Sequence, residues 1–308
     1  MYLGTLQGWP NGPPHVAGSA GWRNTRLTRW TLFHSLPRML MRAPAALMAL
    51  GLAIVLSPGC AARRSERVQP AIDPTKVVDL SYSFGPDTIY WPTAESFTLT
   101  AVAHGRTPHG YWYAANNLCM AEHGGTHMDA PIHFAESGRS SDAVPLAAGI
   151  GPVAVVDVRA QAAADRDYRL TASDIEAWEQ RHGRLPHGAI VIMRSGWGRF
   201  WPDKLHYLGT DKKGDTAHLH FPGFSKEAAE LLVKDRDVAA IAVDTASIDY
   251  GQSTDFIVHQ IINGANKPAF ENLANVDQLP ESGATLLALP LKIAGGSGGP
   301  ARIIALVP

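Results

Sequence analysis

The sequence predicts an α/β domain with a mixed sheet and a strand-rich first third. Three apolar runs of strand length, VAVVDVR (153–159), AIVIMRS (189–195) and VAAIAVD (238–244), read as strands covered on both faces. Amphipathic segments with helix-start signals lie between and after them. The earlier strands follow one another without helices between, which argues against a purely doubly wound topology.

Taken in order, VVDLSYS (77–83) and FTLTAVAH (97–104) alternate as strands do. YWYAANN (111–117) is an aromatic-rich strand bounded by turn residues. LTASDIEAWEQRHG (170–183) offers Thr171 or Ser173 as a helix N-cap and Gly183 as a stop. SKEAAELLVKD (225–235) begins at Ser225, a good N-cap, and continues in good helix formers. DFIVHQIINGA (255–265) reads as a helix with Asp255 near its start and Gly264 near its end. TLLALPLKI (285–293) and ARIIALV (301–307) flank the glycine turn GGSGG (295–299) and read as a strand pair. The sequence has no internal repeat and no GxGxxG or GxxxxGK[ST] pattern, so nothing points to a nucleotide cradle.

The 308 residues are 45% hydrophobic and 18% charged, with a formal net charge of -1. That balance supplies no basic surface for nucleic acid or anionic lipid. Two cysteines, Cys60 and Cys119, exclude a disulfide framework, and Cys119 is expected as a buried strand residue. Residues 1–60 read as a leader and signal peptide. Arg38 and Arg42 precede an apolar run over 43–56, which is shorter than the ~20 residues a membrane-spanning helix needs. Gly59-Cys60 is similar to the end of a bacterial lipoprotein signal, although Ser57 and Pro58 depart from its usual Leu and small residue. Export to the periplasm or cell envelope is expected, with Cys60 as a candidate for lipid attachment. Residues 61–75 read as a polar tether, leaving one catalytic-sized domain over 76–308.

Within that domain EHGGTHMDAPIHF (122–134) concentrates three histidines and two acids. His123 and His127 are four apart, as in zinc proteases, but Gly124-Gly125 between them would cost a helix about 2 kcal/mol. A turn is the better geometry, and the protease glutamate is missing from its position. Asp129, two residues after His127, falls on the same side of an extended segment and could complete a His-His-Asp set. On local pattern alone, metal binding and a structural histidine cluster stay equally open.

The stretch HGGTHMDAPIHF resembles the H-x-G-T-H-x-D-x-P-x-H-F signature of the metal-dependent cyclase family, which includes bacterial kynurenine formamidases and isatin hydrolases. The resemblance continues through VDTASIDYGQSTDF (243–256), HQIINGANKPAFENL (259–273) and PLKIAGGSGGPARIIAL (290–306), and so covers 76–308. It implies a swivelling β/β/α fold. His123, His127 and Asp129 would be ligands of a first metal, with His259 and Glu271 supplying the rest. Asp129 and Glu271 would be candidates to bridge two ions. It implies His133 as proton donor and acceptor and Trp91 against the substrate, and homo-oligomers as the working assembly, dimers or tetramers.

The expected activity is metal-dependent hydrolysis of a small-molecule amide, either an aryl formamide or a cyclic lactam or imide. The ion would be Zn²⁺ first and Mn²⁺ as the alternative, with one or two per chain. His133, ordinary pKa near 6.5, would move the proton. Asp244, Ser247 and Asp249 are candidates to orient the ligating imidazoles, although Asp244 could equally cap a turn. Trp91, Phe134 and Trp197 are candidates to line a pocket for a planar substrate. A cyclase or lactonase on another small ring is the alternative within the class. A catalytically silent metal- or ligand-binding envelope protein is the rival outside it.

Overall fold

The three apolar runs lie side by side as parallel strands, β5 (Ile150–Asp157), β7 (Ile190–Arg194) and β9 (Ala240–Val243). The computed structural model describes residues 72–308, so the leader, the apolar run and Cys60 lie outside the described residues. Before these strands come β1 (Val77–Asp79), β2 (Thr98–Arg106), β3 (Trp112–Cys119) and β4 (His127–Asp129). Between and after them come α1 (Arg159–Ala164), β6 (Arg169–Leu170), α2 (Ala172–His182), α3 (Lys204–Leu208), β8 (Gly223–Phe224) and α4 (Lys226–Lys234). The chain ends with α5 (Ile257–Gly264), β10 (Ala269–Glu271), β11 (Ser282–Pro290) and β12 (Gly298–Leu306).

Hydrogen bonding runs β12-β11-β5-β7-β9-β10-β4 and returns from β4 to β12, closing a seven-strand mixed barrel, with β1 added outside on β12. The closure is one that linear strand patterns do not reveal, because the three-residue strands β4 and β10 carry it.

Alternation along the strands sorts the core into two layers. Val153, Val155, Ile190, Ile192, Ala240 and Ala242 point inward with Met128, Phe270, Leu286 and Ile303, filling the barrel. Their neighbours Ala154, Val156, Val191, Met193, Ile241 and Val243 face outward, against Ile175 and Trp178 of α2, Leu232 of α4 and Ile262 of α5. Each fully buried aliphatic side chain contributes roughly 1.5–3 kcal/mol to the driving force.

Helix starts follow the sequence. Thr171 and Asp174 form a reciprocal capping box on α2, and the Ser225 hydroxyl accepts from the Ala228 N–H on α4. Strands β2 and β3 form a separate antiparallel ribbon with a bulge near Ala101 and Ala103. Cys119, at its end, is exposed and not buried, because both faces of the ribbon stand clear of the barrel among the described residues.

Candidate metal centre and pocket

The centre is built on the short barrel strands. Met128 enters the barrel, so His127 and Asp129 on either side of it face outward. Glu271 of β10 sits opposite His127 in the antiparallel register, which places the two side chains on one outer face. Gly125, at φ +56, makes the turn into β4, and a Cβ there would lie 2.6 Å from the Phe84 ring. Helix α5 lies across this face and supplies His259.

The ligand atoms converge. His127 Nε2 lies 3.2 Å from Asp129 Oδ1 and 3.5 Å from Glu271 Oε2. His259 Nε2 lies 3.5 Å from Asp129 Oδ2 and 3.4 Å from Glu271 Oε1. Ligands held at ~2.1 Å on a tetrahedral ion stand about 3.4 Å apart, so these separations suit a shared cation. His127 Nε2 and Asp129 Oδ2 are also buried without a hydrogen-bond partner among the described residues, a costly arrangement that a bound ion would relieve.

His123, Asp129 and His133 form a second group, whose ligand atoms lie within 4.8 Å of one another. The two groups share Asp129. The rings of His123 and His133 stack at 3.8 Å.

Orientation comes from outside the cluster. His127 Nδ1 pairs with the Gly125 carbonyl at 2.9 Å, and His259 Nδ1 with Asp249 Oδ2 at 2.7 Å, so in both rings Nε2 turns to the carboxylates. Glu271 Oε1 accepts from the Ile248 N–H. Of the three candidate orienting residues, Asp249 contacts a ligand imidazole, while the Ser247 hydroxyl accepts from the Asp249 N–H. Asp244 caps a turn instead, accepting from the N–H groups of Ser195, Gly196 and Trp197.

Electrostatics follow from two buried carboxylates with no Lys or Arg lining the cavity among the described residues. Burial opposes charge on His127, but Asp129 and Glu271 outweigh it and hold the ring at about 9. Burial, then the charge of Asp129, raises Glu271. Burial also acts to raise Asp129, yet the charge of His127 and the close approach of the three imidazoles hold it well below the usual carboxylate range. His133 goes the other way: burial takes it down to about 3 against the pull of Asp129, with the neighbouring histidines adding to the drop. Two negative charges among four imidazoles match a divalent ion.

Above the cluster lies a cavity of about 290 Å³, near the lower end of the ~300–1,000 Å³ range for small-molecule sites. Trp91, Phe134 and Phe256 wall it, with Phe134 4.5 Å from the His259 ring and 5.5 Å from Phe256. Trp197 is not among the lining residues. It is buried with Ile89, Tyr207 and Phe221 in a core cluster.

Comparison with known proteins places this architecture. A family model described as "putative cyclase" matches residues 78–250. The chain belongs to the cyclase family. An isatin hydrolase from Roseibium aggregatum is 37% identical over 207 residues, which cover 65% of this chain and 77% of the relative. A kynurenine formamidase from Salinibacter ruber is 28% identical over 228 residues, 74% of this chain and 96% of the relative. Isatin hydrolase A from Ralstonia solanacearum superposes with a TM-score of 0.69 at 36% identity, covering 75% of this chain and 92% of that one. Within this cyclase-family chain the family match spans His123 to His133 and ends before His259 and Glu271, which geometry ties to the centre.

Sequence reasoning passed over Thr126, Asn272 and Phe256. Thr126 accepts from the Tyr82 N–H and donates to the Asn272 carbonyl, pinning the loop between the two barrel strands. Its signal was its place inside the GTH triplet. Phe256 carried no such signal, since it reaches the pocket only through the left-handed turn that starts α5.

Proposed function

We propose that this chain hydrolyses the amide bond of a small ring, a lactam or imide of the isatin kind, with a divalent ion held by His123, His127, Asp129, His259 and Glu271. The observation that carries the reading is the convergence of His127, Asp129, His259 and Glu271 within 3.5 Å under an aromatic-walled cavity. The similarity to isatin hydrolases supports the ring substrate. The more distant similarity to kynurenine formamidases supports an aryl formamide as second choice.

Hydrolysis adds water across the amide: a C–O bond forms, the C–N bond breaks, and a proton from water goes to the departing nitrogen. A bound divalent ion supplies Lewis-acid polarisation of the carbonyl and lowers the pKa of water from 15.7 towards about 7. His133 stands beside the ligand cluster, stacked on His123 and lining the cavity, where it is placed to take that proton and return it to nitrogen. Trp91, Phe134 and Phe256 hold a planar ring against the imidazoles. Nitrogen and carboxylate donors favour Zn²⁺, with Mn²⁺ as the alternative.

The leader read over 1–60 supports export to the periplasm or envelope, with Cys60 as the point of lipid attachment. A homo-oligomer is supported by the ribbon of β2 and β3. Leu99, Val102, Tyr111, Trp112, Tyr113 and Leu118 are each more than half exposed there, and residues 98–119 hold no Asp or Glu. Two strands alone are marginal in water. These side chains present apolar area on the order of 500 Å², against ~800 Å² per partner in a standard interface. A second copy is the occupant that this face fits.

Elemental analysis after metal-supplemented expression, joined to a panel of isatin, N-formylkynurenine, cyclic imides and lactones, tests the reading. At least one divalent ion per chain with turnover of a cyclic amide is expected. Fewer than one ion per chain overturns the metal assignment, and full occupancy with no amide turnover overturns the reaction.

A further inference from the structure

The glycine turn between β11 and β12 does more than join a strand pair. Ser297 donates its hydroxyl to Glu122 Oε2 at 2.6 Å, and its N–H donates to the same oxygen at 3.1 Å. That hydroxyl has one proton, and Glu122 receives it. The contact between Ser297 Oγ and His123 Nε2, at 2.9 Å, must therefore run from an Nε2–H into the serine oxygen. With Nε2 engaged by the serine, Nδ1 faces the cluster and stands 2.7 Å from Asp129 Oδ1.

The surrounding chain holds Ser297 in place. Its carbonyl accepts from the Ala130 N–H, and the pairing of β12 with β4 starts at the next residue, Gly298 opposite Asp129. Glycines flank the serine because side chains would not fit. A Cβ at position 298 would lie 2.7 Å from His123 Cε1, and one at 296 would lie 2.7 Å from Glu122 Oε1. The GGSGG segment is shaped to press a hydroxyl between a carboxylate and an imidazole.

We propose that Ser297 and Glu122 are positioning residues for the metal centre, a hydroxyl–carboxylate relay that locks His123 with Nδ1 presented to the ion. The proposal rests on the reading of His123 as a ligand. A partner of this kind typically changes metal affinity by 10–100-fold when removed.

The test uses the full chain stripped of metal, with affinity for Zn²⁺ alone and for Mn²⁺ alone measured by chelator competition. Melting of the metal-free variants serves as the folding control. Ser297→Ala and Glu122→Ala are expected to weaken binding by about 10-fold or more, while Ser297→Thr, which keeps the hydroxyl, stays within about threefold of the parent. Binding by Ser297→Ala within threefold of the parent overturns the relay, as does Ser297→Thr as weak as Ser297→Ala. If Ser297→Ala does not fold, Glu122→Ala decides by the same threshold, since its side chain is only partly buried. A parent chain that takes up neither ion sinks the metal-site reading itself, a result distinct from a parent that binds and variants that match it.

Discussion

At the scale of single residues, His133 and His127 occupy the same cluster and are driven in opposite directions. His133 has no ring nitrogen committed to a carboxylate, so burial prevails and the ring stays neutral. His133→Ala is expected to keep the metal content of the parent and lose turnover by about 10² or more, read from elemental analysis and kcat together. His127 is held at about 9, above an unfolded value near 6.5. Its stabilising contribution is therefore complete below pH ~6.5 and is lost as pH rises through ~9. The melting temperature of the metal-free chain should fall between pH ~6.5 and ~9.5. With a divalent ion bound this limb should vanish, because the ion takes the place of the proton. A flat metal-free profile would contradict the assignment.

At the scale of elements, α5 shows how one side chain can serve helix and site together. Asp249 accepts from the N–H groups of Val258 and His259 and also orients the His259 ring. Asp255, near the helix start in sequence, makes only longer side-chain contacts, to the Ile257 N–H and the Ser253 hydroxyl, both at 3.3 Å. Asp249→Ala should cost about 1–2 kcal/mol in urea denaturation and weaken metal binding by 10–100-fold, whereas Asp255→Ala should stay within about 0.5 kcal/mol. The helix itself was legible from its amphipathic spacing. Its cap was not, since Asp249 is eight residues ahead of the first helical residue and reaches it only through the fold. Strands β5, β7 and β9 were legible as apolar runs because both faces are covered. Strands β4 and β10 were not, for three residues carry no periodicity, and their pairing is fixed by partners more than 100 residues away.

At the scale of the whole molecule, half of the centre was legible as a local cluster, His123 to His133. The other half, His259 and Glu271, came only through a family resemblance. Physically the two halves meet because barrel closure sets β4 between β10 and β12. The exposed ribbon is likewise a property of the assembled fold: its residues read as an ordinary strand pair, Cys119 included, until the barrel leaves them outside. Paired substitutions Trp112→Asp and Leu118→Asp should shift the chain to monomer in light scattering while its melting changes little. Unchanged mass would contradict the proposal that a second copy covers the ribbon.

Amide hydrolysis at this centre is tested most directly by chelation. Opening of a cyclic amide should be lost when the purified chain is stripped of divalent ions and return in proportion to the ion restored, up to one or two per chain. Turnover that survives complete removal of the metal would contradict hydrolysis by a metal-activated water.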